Sequence, residues 1–393
     1  MDLKVFTLNC WGIPIVSKDR KIRIPAIAEF LASGPYDFVC LQEVWSTADF
    51  ELIRKKVEYT LPYSHYFYSG VVGSGVCVFS KFALCDVLFH QWPVNGYVHK
   101  IQHGDWFGGK GVGLCRIKVK NFSINIYSAH LHAEYDTTCD DYLAHRVLQA
   151  FDTAQFIKMT STSADLIILA GDLNTEPESI AYRIIVERAN LRDSFTEAKQ
   201  LYLKTDGTNE CCQNSYTSKA LLKTKKPGKR IDYILFACHK RLEIVSVQYS
   251  QPLPNRIPEN FVSYSDHEAV CASLKIVEGE KLHYIPYQRN DKEITLMESI
   301  KICDSSLNKL KLQKRFYWFS SMLLLCVVIT TIATHPPFGL TITFHICRVI
   351  LTILLCFTVA MASLWCRIEE NAILAGKLAM EVGLKSLTSS DSL

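Results

Sequence analysis

The chain has 393 residues, enough for one large domain or two ordinary ones. Its net charge of +4 at pH 7 is mild, so no electrostatic claim on nucleic acid follows and no nucleic-acid partner is expected. Charged residues make up 21% and hydrophobic residues 49%, with the apolar excess gathered near the C-terminus.

The start, Met1-Asp2-Leu3-Lys4-Val5-Phe6, alternates like a strand and has no basic region ahead of a long apolar core. The expectation is a body facing the cytosol, with the fifteen cysteines as reduced thiols. Cys40 and Cys77 lie in strand-like runs and read as small buried hydrophobes, and no paired-cysteine zinc spacing is present.

Leu3 to Leu8 predicts a first strand with Asn9 at its tip, and Ile22 to Leu31 predicts a helix stopped at Ser33-Gly34-Pro35. Asp37 to Leu41 predicts a second strand that delivers Glu43 at its far end. Ser46 or Thr47 is placed to cap the next helix, with Asp49 in its first turn. Gly73-Ser74-Gly75 ahead of Val76 to Lys81 reads as a hairpin turn rather than a phosphate cradle, because the lysine follows a strand. Trp92 to Gly113, aromatic and punctuated by glycine, predicts a structured loop.

Phe122 to Ala129 alternates and carries His130 at its end. Asp140 to Met159 has helical spacing. Leu166 to Ala170 is a short apolar run read as a buried strand, after which Gly171 permits a tight turn and Asp172 and Asn174 stand at the sheet rim. Pro177 fits the start of a helix through Ile180, Ile184 and Ile185. Leu201 to Lys229 is polar and irregular, a surface excursion. Lys229 to Phe236 predicts a strand with Asp232 near its beginning, and Ser265-Asp266-His267 opens a last strand over Ala269 to Ile276. Many strands interleaved with helices predict an α/β sandwich of two face-to-face sheets ending near Val277.

Residues 278–315 read as a juxtamembrane linker or helix. Two apolar stretches of spanning length follow, Phe316 to Ala333 and Ile342 to Trp365, with a tail over 367–393. Lys309, Lys311, Lys314 and Arg315 precede the first; Arg367, Lys377 and Lys385 follow the second; the short loop between has no Lys or Arg. The positive-inside rule then predicts a two-pass protein with the sandwich and both termini cytoplasmic.

Asn9, Glu43, His130, Asp172, Asn174, Asp232, Asp266 and His267 thus all fall at or near strand ends. Each alone has an ordinary reading as a turn, cap or core residue; together they suit phosphodiester cleavage by water. Glu43 can hold Mg²⁺, His267 can take the water's proton with Asp232 orienting it, and Asn174 and His130 can hydrogen-bond phosphate oxygens.

Leu8-Asn9-Cys10-Trp11-Gly12, Gln42-Glu43-Val44-Trp45, Ala129-His130-Leu131-His132, Gly171-Asp172-Leu173-Asn174, Arg230-Ile231-Asp232-Tyr233 and Ser265-Asp266-His267 resemble the ordered motifs of the endonuclease/exonuclease/phosphatase superfamily, with its DNase I-like fold. Asn9 to Pro14, His103 to Phe107 and His130 to Tyr135 carry a narrower resemblance to the Mg²⁺-dependent neutral sphingomyelinases, in the small form anchored by two C-terminal spans. The resemblance implies Glu43, with Asn9 nearby, as the Mg²⁺ ligand and Asp266 as support for the metal or for His267. It implies a His267–Asp232 general base, Asp172 and Asn174 positioning water and phosphate, and His130 acting on the phosphate or the leaving oxygen. The expected reaction is phospholipase C-type hydrolysis of sphingomyelin to ceramide and phosphocholine at a bilayer, in the endoplasmic reticulum or plasma membrane, with anionic lipids admitted as activators. The rival is a phospholipase C acting on lyso-platelet-activating factor or lysophosphocholine lipids, or another phosphoesterase of the same fold.

Overall fold

A computed structural model describes the chain except residues 137, 199–205, 239–240, 280–286, 337–338 and 390–393. The order begins β1 (Asp2–Asn9), α1 (Arg20–Ser33), β2 (Phe38–Gln42), α2 (Thr47–Val57), β3 (Tyr63–Tyr66), β4 (Cys77–Ser80) and β5 (Leu84–Gln91). It continues with β6 (Gly111–Val119), β7 (Phe122–His130), α3 (Leu143–Thr160), β8 (Leu166–Asp172), α4 (Ile180–Arg188), β9 (Arg192–Asp193), α5 (Ser194–Glu197) and α6 (Lys219–Thr224). It closes with β10 (Asp232–Cys238), β11 (Leu242–Ser250), β12 (Val270–Glu278), α7 (Arg289–Ala333), α8 (Thr341–Ala360) and α9 (Cys366–Ser389).

Among the described residues the strands form two six-stranded sheets, ordered β11-β12-β1-β2-β4-β3 and β5-β6-β7-β8-β10-β9. This is the two-sheet sandwich that the alternating segments predict. Each sheet turns one row of aliphatic side chains inward, so Val5, Phe38, Val78, Ile126, Ile168, Ile234 and Leu274 meet in one dry core. A second core lies outside the first sheet, where Ile24, Ile27 and Leu31 of α1 and Phe50, Ile53 and Val57 of α2 pack on Phe6, Leu8 and Val39. Both α1 and α2 cover the face that would otherwise expose β1 and β2.

The central strands run parallel in pairs, β1 beside β2 and β7 beside β8. Each pair therefore brings two C-terminal ends to one rim. Asn9 lies opposite Gln42, one residue before Glu43, and His130 lies opposite Asp172. The antiparallel partner β10 places Asp232 opposite Asp172.

Several expectations shift. The loop read as ending at Gly113 stops sooner, because Gly111 to Gly113 already belong to β6. The helix after Pro177 starts at Ile180, with Ser179 at its N-cap position. Ser46 stands at the N-cap of α2 but its side chain makes no cap bond, and Asp49 pairs with Arg20 at 2.8 Å. The surface excursion holds the short helix α6; its first residues, 201–205, lie outside the described residues, as do Tyr284 and residues 390–393 of the tail.

The chain divides into two compact units, Met1–Thr295 and Leu296–Leu393. The sandwich strands end at Glu278, and the first unit extends beyond them because the Tyr287 hydroxyl donates to the Leu191 carbonyl at 3.1 Å and Lys292 Nζ reaches Asn190 Oδ1 at 2.7 Å. The second unit carries two helices long and apolar enough to cross a membrane. Of the stretch expected as a linker, residues 289–315 are the N-terminal part of α7, continuous with the first apolar run, and 280–286 lie outside the described residues. Within it, Ser321 donates to Thr358 at 3.0 Å, Arg348 reaches the Thr331 carbonyl, and Lys377 pairs with Asp304 at 2.7 Å.

Candidate active site

The rim of the two parallel pairs gathers the expected residues in one cluster, with Asn9, His130, Asp172, Asp232 and His267 buried and Glu43, Asn174 and Asp266 half-buried. Asn9 is the link between the sheets. Its Nδ2 donates to Glu43 Oε1 at 3.0 Å and to Asp172 Oδ2 at 2.9 Å, and its Oδ1 accepts the Trp11 N–H at 2.9 Å. Glu43 follows β2 with a left-handed backbone, φ 55°, a conformation uncommon for a residue with a side chain. Its turn is pinned on both sides, since Gly12 N–H donates to the Glu43 carbonyl at 2.9 Å and Val44 N–H to the Gly75 carbonyl at 2.9 Å.

His267 Nδ1 and Asp232 Oδ2 are 2.9 Å apart, and His267 Nε2 faces Asp172 Oδ2 at 3.9 Å. The backbone holds this pair in place. Thr208 Oγ1 accepts the N–H groups of both Ile231 and Asp232, and the Thr208 carbonyl accepts the Glu268 N–H. Ser265 Oγ donates to the Asn9 carbonyl at 2.6 Å and approaches Asp266 Oδ1 at 3.2 Å, which ties the Ser-Asp-His turn to the end of β1. Asn174, φ 44°, donates its backbone N–H to Asp172 Oδ1 at 2.9 Å and its side-chain amide to the Leu131 carbonyl at 3.0 Å.

His130 Nε2 lies 3.5 Å from Asp172 Oδ2 and 3.9 Å from Glu43 Oε1. It also meets Lys110 Nζ at 3.3 Å. Lys110 is absent from the motif reading, yet it is only 2% exposed and pairs with Asp105 Oδ1 at 2.6 Å. The faint signal for it is the Gly108-Gly109-Lys110-Gly111 run, where small residues let a lysine enter a crowded rim. His132 is 3.5 Å from Asp105 and stacks on Tyr142 at a centroid distance of 3.9 Å.

Electrostatics divide the cluster by role. Burial, and then the charge of Asp266, raise the Glu43 carboxyl above its ordinary range; burial likewise raises Asp266. Burial and the neighbouring Asp232 raise Asp172. For His267 burial opposes the imidazolium, but Asp232 and Asp172 outweigh it and hold its pKa well above the ordinary value. For His130 burial and Lys110 act together and push its pKa well down, so its ring is neutral.

A divalent cation fits this donor set. Glu43 Oε2 and Asp232 Oδ1 are buried with no hydrogen-bond partner among the described residues. Glu43 and Asp266 face each other's charge, a cost that a cation between them would remove. Their oxygen-only chemistry suits a hard ion. Asp172, Asp232 and His267 form a second grouping, with ligand-type atoms within 4.8 Å of one another. There His267 Nδ1 is already committed to Asp232, which leaves Nε2 as the open nitrogen of that ring.

The family model for the Endonuclease/Exonuclease/phosphatase family matches residues 6–267. A Drosophila melanogaster protein named "Putative neutral sphingomyelinase" is 40% identical over 435 residues, covering 98% of this chain and 97% of that one. Human "Sphingomyelin phosphodiesterase 2" is 41% identical over 272 residues, covering 69% of this chain and 64% of that protein. Among solved structures, a mutant beta toxin from Staphylococcus aureus with bound magnesium ions superposes with a TM-score of 0.53 at 18% identity, over 70% of this chain and 100% of that one, a likeness of fold. The chain belongs to the endonuclease/exonuclease/phosphatase family, in the branch that holds the neutral sphingomyelinases.

Proposed function

We propose that the chain is a Mg²⁺-dependent, phospholipase C-type hydrolase that cleaves sphingomyelin to ceramide and phosphocholine at a membrane. The observation that carries the reading is the joining of Glu43, Asp172 and, through Asp172, the His267–Asp232 pair by the single amide of Asn9. The names of the relatives at about two-fifths identity support the substrate.

Glu43, with Asn9 and Asp266, would hold Mg²⁺, which when bound supplies positive charge to the phosphoryl oxygens. The remaining work belongs to side chains. Asp232 fixes the His267 ring through Nδ1, so Nε2 is the atom that accepts the proton of the attacking water when the ring is in its neutral form, a fraction that rises with pH because Asp232 and Asp172 hold its pKa up. Asp172 stands across from Nε2 and positions that water, with Asn174 bracing the carboxylate. The water oxygen bonds to phosphorus, the bond from phosphorus to the ceramide oxygen breaks, and that oxygen takes a proton from bulk water while His267 returns the one it accepted, so one water is consumed and no net proton stays on the chain. Lys110 Nζ, 3.3 Å from His130 Nε2, is placed to donate to the phosphate or the leaving oxygen, with His130 acting beside it.

The two apolar helices support a membrane tether, which raises the effective concentration of a lipid substrate. Lys and Arg flank the pair and are missing between them, which supports cytoplasmic placement of the sandwich and both ends.

A substrate panel tests the reading: sphingomyelin, lyso-platelet-activating factor, phosphatidylcholine and an inositol phosphate, each with Mg²⁺. Phosphocholine release from sphingomyelin is expected to be fastest and to fall by roughly 10²–10⁴-fold in His267→Ala. Faster release from the lyso lipid, or an unchanged rate in the variant, would reject the substrate or the base respectively.

A further inference from the structure

We propose that two aliphatic loops, Ile13–Val16 and Val71–Val72, seat on the bilayer surface on either side of Glu43 and hold the site mouth against the lipid headgroups. The inference rests on the lipid-substrate reading above but concerns a surface that no catalytic step uses.

Topology puts both loops at the mouth. The first sheet runs β1-β2-β4, with β1 parallel and β4 antiparallel to β2. The loop leaving β1 and the loop entering β4 therefore lie at the end of β2 where Glu43 stands, with roots about 10 Å apart across it. Backbone bonds fasten each root to the same turn, Gly12 N–H to the Glu43 carbonyl and Val44 N–H to the Gly75 carbonyl.

The side chains on these loops are wrong for water. Exposed turns ordinarily carry Gly, Asn, Asp, Ser or Pro. Here Ile15 is fully exposed at 103%, Val16 is exposed, and Val71 is 80% exposed with Val72 beside it. All four are β-branched. Ile15 also sits at φ 72°, a left-handed backbone that a β-branched residue rarely adopts. In that conformation its side chain stands clear of the core.

The loops are also built to stay put. Ser17 N–H closes the first on the Ile13 carbonyl at 3.1 Å. Gly70 and Gly73, both at positive φ, bracket the second, and the N–H groups of Val71 and Val72 both donate to the Phe107 carbonyl. Rigid exposed aliphatic groups lose little freedom on entering lipid. Lys18 and Lys21 follow the first loop and are exposed, while Asp19 is engaged by the Tyr216 hydroxyl at 2.9 Å. Positive charge beside an aliphatic tip suits the phosphate layer of a bilayer.

The full-length protein is placed in nanodiscs of phosphatidylcholine and sphingomyelin and, separately, in amphipol, and backbone hydrogen exchange is followed. Exchange at 13–18 and 69–73 is expected to be slower in nanodiscs; equal exchange in both overturns the proposal. In parallel, the double variant Ile15→Ser, Val71→Ser is compared with wild type on bilayer sphingomyelin and on water-soluble p-nitrophenylphosphorylcholine. A loss of about tenfold or more on the bilayer alone is expected, since one aliphatic side chain buried in lipid is worth about that factor. An equal loss on both substrates, or on neither, overturns it. Slower exchange in a wild type that leaves sphingomyelin intact would uphold docking while rejecting the sphingomyelinase reading.

Discussion

Lys110 enters the rim paired with Asp105, beside two buried histidines, His130 and His132. Burial opposes the Asp105 carboxylate, but Lys110, His132 and the Tyr135 hydroxyl together outweigh it and hold the carboxyl below its ordinary range. Burial depresses the neighbouring His132 from 6.5 to about 3. A histidine whose folded value is depressed contributes stability that is fully present above the unfolded value near 6.5 and is lost as pH falls toward about 3. Melting of the wild-type protein is therefore expected to move to lower temperature across that window, with a slope of about 1.4 kcal/mol per pH unit from this one group. His132→Gln should flatten the slope; an unchanged slope, followed by tryptophan fluorescence, would show that His132 is not the group.

At the same scale, Asp232→Asn should leave the fold intact and lower turnover by roughly 10²–10⁴-fold, because the amide presents the wrong partner to His267 Nδ1. A near-normal rate would mean the ring is oriented by something else. Asn9, Glu43, Asp172, Asp232 and His267 were legible in the sequence because each is a polar residue at the end of an apolar run, and such positions collect at sheet rims. Lys110 was not, since its approach depends on Gly108 and Gly109 and on a long-range partner. Thr208 was not either, because its bonds to Ile231 and Asp232 come from an irregular stretch with no period to read.

At the scale of elements, three strands lack a legible period, each for its own reason. β5 is an edge strand with most residues exposed, so it lacks the alternation that marks a half-buried strand. β11 alternates at Leu242 and Ile244, then a register shift before Ser246 moves the inward set to Val247 and Tyr249 and breaks the period of two. β6 opens with Gly111 and Gly113, which read as turn. Gly113 is there because a Cβ would lie 2.3 Å from the Phe67 ring. Gly171 is the stricter case: a Cβ would meet the Ala129 carbonyl oxygen on the parallel neighbour at 2.0 Å. Gly171→Ala must therefore part β7 from β8 next to His130 and Asp172. The expected cost is about 3 kcal/mol or more, read as a lower melting temperature with reduced turnover. A variant as stable as wild type would show that the strand pair is slack.

At the scale of the molecule, a sandwich that makes a phosphodiesterase site is joined to a pair of apolar helices. Protease added to sealed microsomes is expected to digest the sandwich and the tail together from the cytosolic side, as the flanking lysines and arginines predict. Protection of either one would overturn the proposed topology. The fifteen cysteines all lie among the described residues and are free thiols there, as a body facing the cytosol would hold them.

The central claim is that Glu43 holds a divalent cation beside a separate His267–Asp232 base. It is tested most directly by calorimetric titration of Mg²⁺ into the chelator-stripped, full-length protein, as wild type, Glu43→Gln and His267→Ala, with phosphocholine release measured alongside. Wild type and His267→Ala should bind Mg²⁺ alike, Glu43→Gln should lose binding, and both variants should lose activity. Mg²⁺ binding kept by Glu43→Gln and lost in His267→Ala would move the ion onto the Asp172, Asp232 and His267 group and contradict the account.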